Sequence, residues 1–132
     1  MNKTLQTVIS SILSILIYLF GGFDSLVISL IIVMAIDYIT GVCKGIYHKK
    51  LNSTIGLKGI LKKFGYLLIV ILATLFDNII HDESMAIRAL VIYFFISNEA
   101  ISILENWGSL GLPLPKKIFD VFEKLKEQSN QI

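Results

Sequence analysis

Four apolar stretches, residues 5–20, 25–47, 64–80 and 85–107, alternate with short polar segments along this chain. The first is amphipathic: Gln6, Thr7, Ser10, Ser11 and Ser14 interrupt it at helical spacing, which suits a helix packed on protein or lining water. The second is Leu, Ile, Val, Met and Ala with little interruption as far as Asp37. It lacks strict apolar periodicity there, as expected of a helix in lipid. Between the second and third stretches, Leu57, Ile60, Leu61 and Phe64 follow an i, i+3, i+4, i+7 pattern with Lys58, Lys62 and Lys63 opposite. That pattern predicts an interfacial helix, capped by Ser53 or Thr54, leading into the third stretch. Ile118, Val121, Phe122 and Leu125 share a helical face in a short amphipathic tail, which ends in polar residues from Gln128 to Ile132.

The linkers decide how these helices connect. Residues 21–25 are short enough only for a tight turn, and Asp77, Asn78, His81, Asp82, Glu83 and Ser84 form the second turn. The expected fold is therefore an all-α membrane protein with four transmembrane helices in two antiparallel hairpins, plus the amphipathic C-terminal helix. Residues 1–112 form the membrane domain and residues 113–132 the tail, separated by the helix breakers Gly108, Gly111, Pro113 and Pro115. The first stretch extends only about 24 Å as a helix, less than a hydrocarbon core of about 30 Å. If it lies flat, three spans remain. A cleaved signal peptide is a competing reading, but bulky residues from Tyr18 to Phe23 occupy the positions where a cleavage site needs small ones, so a retained helix is expected.

Composition supports membrane residence: 55% of residues are hydrophobic, only 17% are charged and mean hydropathy is +0.74. The net charge of +2 says little by itself, whereas its arrangement orients the chain. Of twelve cationic side chains, eleven fall before the first stretch (Lys3), between the second and third (Lys44, Lys49, Lys50, Lys58, Lys62, Lys63) and after the fourth (Lys116, Lys117, Lys124, Lys126). Arg88 alone accompanies the two acidic turns that hold Asp24, Asp77, Asp82 and Glu83. Lysine and arginine accumulate on the cytoplasmic side, so both termini and the central loop are expected inside and the acidic turns outside. The single cysteine, Cys43, excludes an intramolecular disulfide.

Catalytic chemistry is not written into this sequence. There is no glycine-rich phosphate loop, no metal-spaced Cys/His cluster and no nucleophile–base pairing, so neither an enzyme nor a cofactor is expected. His48 and His81 fall on opposite sides of the membrane in this topology. The lysine clusters sit where the topology rule puts them, and nucleic-acid binding is not expected. Two carboxylates stand out. Asp37 and Glu99 lie at matching depth inside the second and fourth stretches, where an ionisable group is costly and faces a partner, a cavity or water. One reading makes them functional. The other pairs each with a neighbouring lysine (Lys44, Lys62 or Lys63) and confines them to helix packing, which the Gly41 and Gly45 stripe beside Asp37 equally supports.

Asp37-Tyr-Ile-Thr-Gly41, Lys49-Lys50-Leu-Asn-Ser53, Gly56, Gly59 and Lys62-Lys63 resemble the core of the toxin-secretion/phage-lysis holin family. So does Asn98-Glu99-Ala-Ile-Ser102-Ile-Leu-Glu105-Asn106, followed by Gly111-Leu-Pro113-Leu-Pro115. The resemblance covers roughly residues 23–125. It implies a phage or prophage protein of the bacterial cytoplasmic membrane that oligomerises and opens lesions, releasing a cell-wall hydrolase (endolysin) or a toxin without stable contact. Asp37, Gly41, Gly45, Asn98, Glu99, Ser102 and Glu105 are then expected at helix packing faces or the pore lining. Lys49, Lys50, Lys58, Lys62, Lys63, Lys116 and Lys117 are expected at the cytoplasmic membrane surface. Many holins also arise from two nearby start codons. Here the methionine after Met1 is Met34, inside the second span, so a short inhibitor variant is not expected; a separate antiholin, or none, stays open. The alternatives are a small proton-coupled transporter of four helices and a membrane adaptor with an interaction tail. Small multidrug exporters carry their key acid in the first helix, which here has none.

Overall fold

The computed structural model describes residues 2–129 and consists of five α-helices in chain order. They are α1 (Lys3–Leu19), α2 (Ser25–Tyr47), α3 (Ser53–Ile79), α4 (Ala86–Ser109) and α5 (Lys116–Ser129). Three of them, α2, α3 and α4, are long and apolar enough to cross a membrane. At 1.5 Å per residue they extend about 35–40 Å, more than the hydrocarbon thickness. The 17-residue α1 extends about 26 Å and is the short one. Met1 and Ile132, both expected inside, lie outside the described residues, as do 130 and 131. The side chains of Phe122 and Leu125, half of the expected tail face, are likewise outside the description.

α4 is the hub. It packs along α2 and α3, which touch one another only slightly. Its buried face reads Arg88, Ile92, Phe95, Glu99, Asn106, a 3.6-residue repeat with apolar residues in the middle and polar ones on either side. Val27, Leu30 and Met34 of α2 and Val70 of α3 close on Ile92 and Phe95 to form the core. Val27, Leu30, Val70 and Ile92 are almost completely shielded. The opposite faces carry exposed large apolar residues, among them Ile32, Leu72, Phe76, Leu90 and Phe94, as helices in lipid do.

The expectations for the segment before the third stretch are corrected. The amphipathic segment from Leu57 to Phe64 is not a separate interfacial helix: α3 runs unbroken from Ser53 to Ile79. No proline interrupts it, and Gly59 and Gly65 are tolerated within a helix. Its cap is Asn52, whose side chain accepts from the Thr54 amide at 2.8 Å, and neither Ser53 nor Thr54 takes that role. The helix α1, expected to pair with α2 as a hairpin, buries none of its residues and contacts α3 lightly.

Candidate functional site

Asp37 and Glu99 each lie ten residues before the C-terminal end of their helix, about 15 Å along it, and the matching depth brings them together. Lys63 of α3 reaches between them. Its ammonium lies 2.6 Å from Asp37 Oδ2 and also bonds Glu99 Oε2. Of the candidate partners Lys44, Lys62 and Lys63, the structure selects the last. Lys63 thus leaves the group of surface lysines: its side chain is only 16% exposed, whereas Lys49, Lys50, Lys58, Lys62, Lys116 and Lys117 are all exposed. The cluster ties the three long helices together at one level.

A polar residue on α4 completes it. Asn106 Nδ2 donates to Asp37 Oδ1 at 3.3 Å and to Thr40 Oγ1 at 3.1 Å, while the Thr40 hydroxyl donates to the Asp37 carbonyl. Asn106 is not among the site residues expected from the sequence. Its signal is the α4 period, on which it falls seven residues after Glu99. On the outer side of the cluster, Tyr66 and Phe95 stack with ring centroids 4.0 Å apart. They come one turn after Lys63 and one turn before Glu99, and they separate the charges from the apolar core.

Toward the C-terminal ends of α2 and α4 the bundle opens. Because α2 and α3 diverge there, a cleft of about 730 Å³ forms between them, with α4 at its back. Asp37, Lys63, Ser102 and Asn106 supply its polar surface, and Tyr38, Val42, Leu51 and Ile60 are among its apolar walls. Gly41 and Gly45 face this space, not another helix. A side chain at Gly41 would meet only the Asn106 amide, and at Gly45 it would meet Leu51 of the connecting loop. Asn98 is half-buried and Glu105 exposed, so neither belongs to the cleft wall. At the inner end, His48 Nε2 contacts the Ser109 carbonyl at 2.9 Å and joins α2 to α4.

The opposite end of the bundle has its own charged assembly, centred on the cation that the charge pattern left unexplained. Arg88, 3% exposed, holds both oxygens of Asp24 at 2.8 and 2.9 Å. It also donates to the carbonyls of Phe20 and Gly22, which end α1 and begin the turn. Gly21 has a positive φ of 69°, and a Cβ there would come within 2.9 Å of Arg88 Nε, so glycine is required. Asp77, fully buried, accepts from the amides of Ile87 and Arg88, and Asp82 accepts from that of Ala86. The acidic outer turn therefore satisfies the open amides at the start of α4 and complements its dipole. The Arg88 guanidinium also holds the Asp24 carboxyl below its ordinary range. The clamp is therefore present above that range and is lost as pH falls through the lowered value.

Among the described residues no group of His, Cys, Asp and Glu could hold a metal ion. The sequence profile of the bacteriophage holin family matches residues 14–127. An uncharacterised protein of Clostridium perfringens strain 13 is 38% identical over 113 residues, which are 86% of this chain and 84% of that protein. An uncharacterised 14.9 kDa protein in the nagH 3′ region of Clostridium perfringens is 40% identical over 111 residues, 84% of each chain. The uncharacterised protein YqxH of Bacillus subtilis is 33% identical over 115 residues, 87% of this chain and 81% of its own. No solved structure matches the chain.

Proposed function

We propose, because this chain belongs to the bacteriophage holin family, that it is a non-enzymatic pore-former of the bacterial cytoplasmic membrane. Copies self-associate and open lesions through which a cell-wall hydrolase or a toxin leaves the cell. The observation that carries this reading is the state of α1. It buries no residue, yet Gln6, Thr7, Ser10, Ser11 and Ser14 run along one side of it and line an open trough of about 800 Å³. The hydroxyls of Thr7, Ser11 and Ser14 donate to carbonyls one turn back, which leaves their oxygens as acceptors. Hydrocarbon offers such a stripe nothing; water or the polar face of a second copy does. A lone protomer in lipid therefore leaves α1 unmatched, whereas a ring of protomers turns the stripe toward a lumen. The open face at Gly41 and Gly45 offers a close-packing surface for a neighbouring helix.

Inducible expression in a bacterium, with membrane potential and leakage of a cytosolic enzyme recorded together, tests this. Abrupt depolarisation after a delay, with enzyme release, is the expected result. Resistance to toxic cations without depolarisation would instead identify an exporter, and neither effect an adaptor.

The topology that accompanies this reading has α1 as a fourth span and both chain ends inside. Reporter fusions after Asp24, Asn52 and Glu83 are then expected to read outside, inside and outside, with a fusion at residue 2 inside. An outside reading at residue 2, the others unchanged, would mean three spans with α1 on the outer surface.

A further inference from the structure

We propose that the Asp37–Lys63–Glu99 cluster is a proton-binding site, which takes up one exchangeable proton through the inner cleft and holds it on Glu99 at neutral pH.

The argument begins with counting. Two carboxylates share one ammonium, and among the described residues no second cation lies within ion-pair distance of either. Lys62, the nearest on the same helix, is exposed and points to the Tyr66 ring, with its ammonium 5.7 Å from the centroid. Asn106 and Thr40 contribute dipoles but no charge. Fully ionised, the cluster carries one uncompensated negative charge about 15 Å from the inner helix ends, where desolvation is expensive. Two carboxylates crowded at one site relieve that by sharing a proton. Burial selects which of them keeps it. The Glu99 side chain is 3% exposed and off the cleft, whereas Asp37 is 15% exposed, on the cleft wall and supported by Asn106 as an acceptor.

The route is one-sided. Asp37 and Lys63 both line the cleft, so hydronium entering from its mouth reaches them. Asp37 takes a proton from water, Lys63 passes one of its protons to Glu99, and Asp37 restores the ammonium. The net change is one new O–H bond on Glu99 and one hydronium consumed, which leaves as a neutral water molecule. Outward passage is blocked by the stacked Tyr66 and Phe95 and by the dry contact of Val27, Leu30, Val70 and Ile92. The charged and titratable groups facing the site are Asp37 and Tyr38 from α2, Lys62 and Lys63 from α3, and Glu99 from α4, with Lys50 at the cleft mouth. Losing the proton restores the net charge and sets the Asp37 carboxylate of α2 against that of Glu99 on α4, so the site reports the pH of the cleft side.

The sidedness rests on the proposed topology; the proton itself does not. Infrared spectra of the purified full chain in nanodiscs at neutral pH are expected to show a protonated-carboxyl stretching band. That band should shift in deuterated water and be lost in Glu99→Gln. Its absence from the wild-type chain or its persistence in Glu99→Gln would each overturn the assignment, as would its persistence in Asp37→Asn, where one carboxylate faces one ammonium and no shared proton is needed. A band that fails to shift in deuterated water would show no exchange and would overturn the cleft route. In oriented proteoliposomes the band should titrate with pH on the cleft side only; titration from the other side would overturn the one-sided route. If the band behaves as expected while expression causes no lysis, the pore-forming reading fails and the proton site stands.

Discussion

Replacing Lys63 with methionine is expected to destabilise the helical bundle by about 3 kcal/mol at neutral pH, because it leaves Asp37 and Glu99 without their shared cation. The methionine stem keeps most of the packing, so the loss is electrostatic. Two consequences separate this from simple loss of contact. The destabilisation should shrink as pH falls, since each stranded carboxylate can be neutralised by a proton. It should also be largely repaired by adding Asp37→Asn and Glu99→Gln, which turn the unpaired charges into hydrogen-bonding amides. Thermal unfolding followed by circular dichroism in a mild detergent measures both. A Lys63→Met chain as stable as wild type across pH would mean that the ion cluster does not hold α2, α3 and α4 together.

The second large effect concerns the outer end. Arg88→Met removes the side chain whose hydrogen bonds join Asp24, Phe20 and Gly22 to α4. It is expected to cost about 2–3 kcal/mol, the range for hydrogen bonds to a charged group. More specifically, it should free α1, which buries nothing and has only light contact with α3 to fall back on. Spin labels at the exposed positions Tyr18 and Leu90 should give a narrow distance distribution in the parent chain and a broad one in Arg88→Met. Arg88→Lys should lie between, because an ammonium keeps the charge but cannot span a carboxylate and two carbonyls as a guanidinium does. An unchanged distribution in Arg88→Met would mean that α1 is positioned by something other than this clamp.

Much of the architecture was legible in the sequence. The second stretch was expected at 25–47 and α2 is Ser25–Tyr47; the fourth was expected at 85–107 and α4 is Ala86–Ser109. Transfer of a residue between water and hydrocarbon depends mainly on that residue, so a run of apolar side chains bounded by charges marks a helix without knowledge of its neighbours. The depth of Asp37 and Glu99 was legible for the same reason, since distance along a helix is a count of residues. Periodicity was less informative. Val27, Leu30, Met34 and Asp37 do share one face of α2, but the residues between them are equally apolar, so the buried face is hidden among those that meet lipid.

The choice of Lys63 over Lys44 and Lys62 was decided by tertiary structure, as was the role of Arg88. Consecutive residues of a helix point about 100° apart, so Lys62 and Lys63 are equivalent in a sequence and opposite in their surroundings once α3 is docked. What fixes the docking is the contact of Val27, Leu30, Val70, Ile92 and Phe95, which sets the rotation of each helix about its own axis. Continuity of α3 through Phe64 then carries Lys63 to the level of both carboxylates instead of leaving it on a separate surface helix. Arg88 reads in the sequence as a stray cation on the acidic side. It becomes a clamp only because α4 starts beside the turn after α1, a juxtaposition of residues more than sixty positions apart. Sequence by itself determined which segments form the long apolar helices, because partitioning is local; the rotation and tilt of packed helices decided which charges meet between them, because pairing is not.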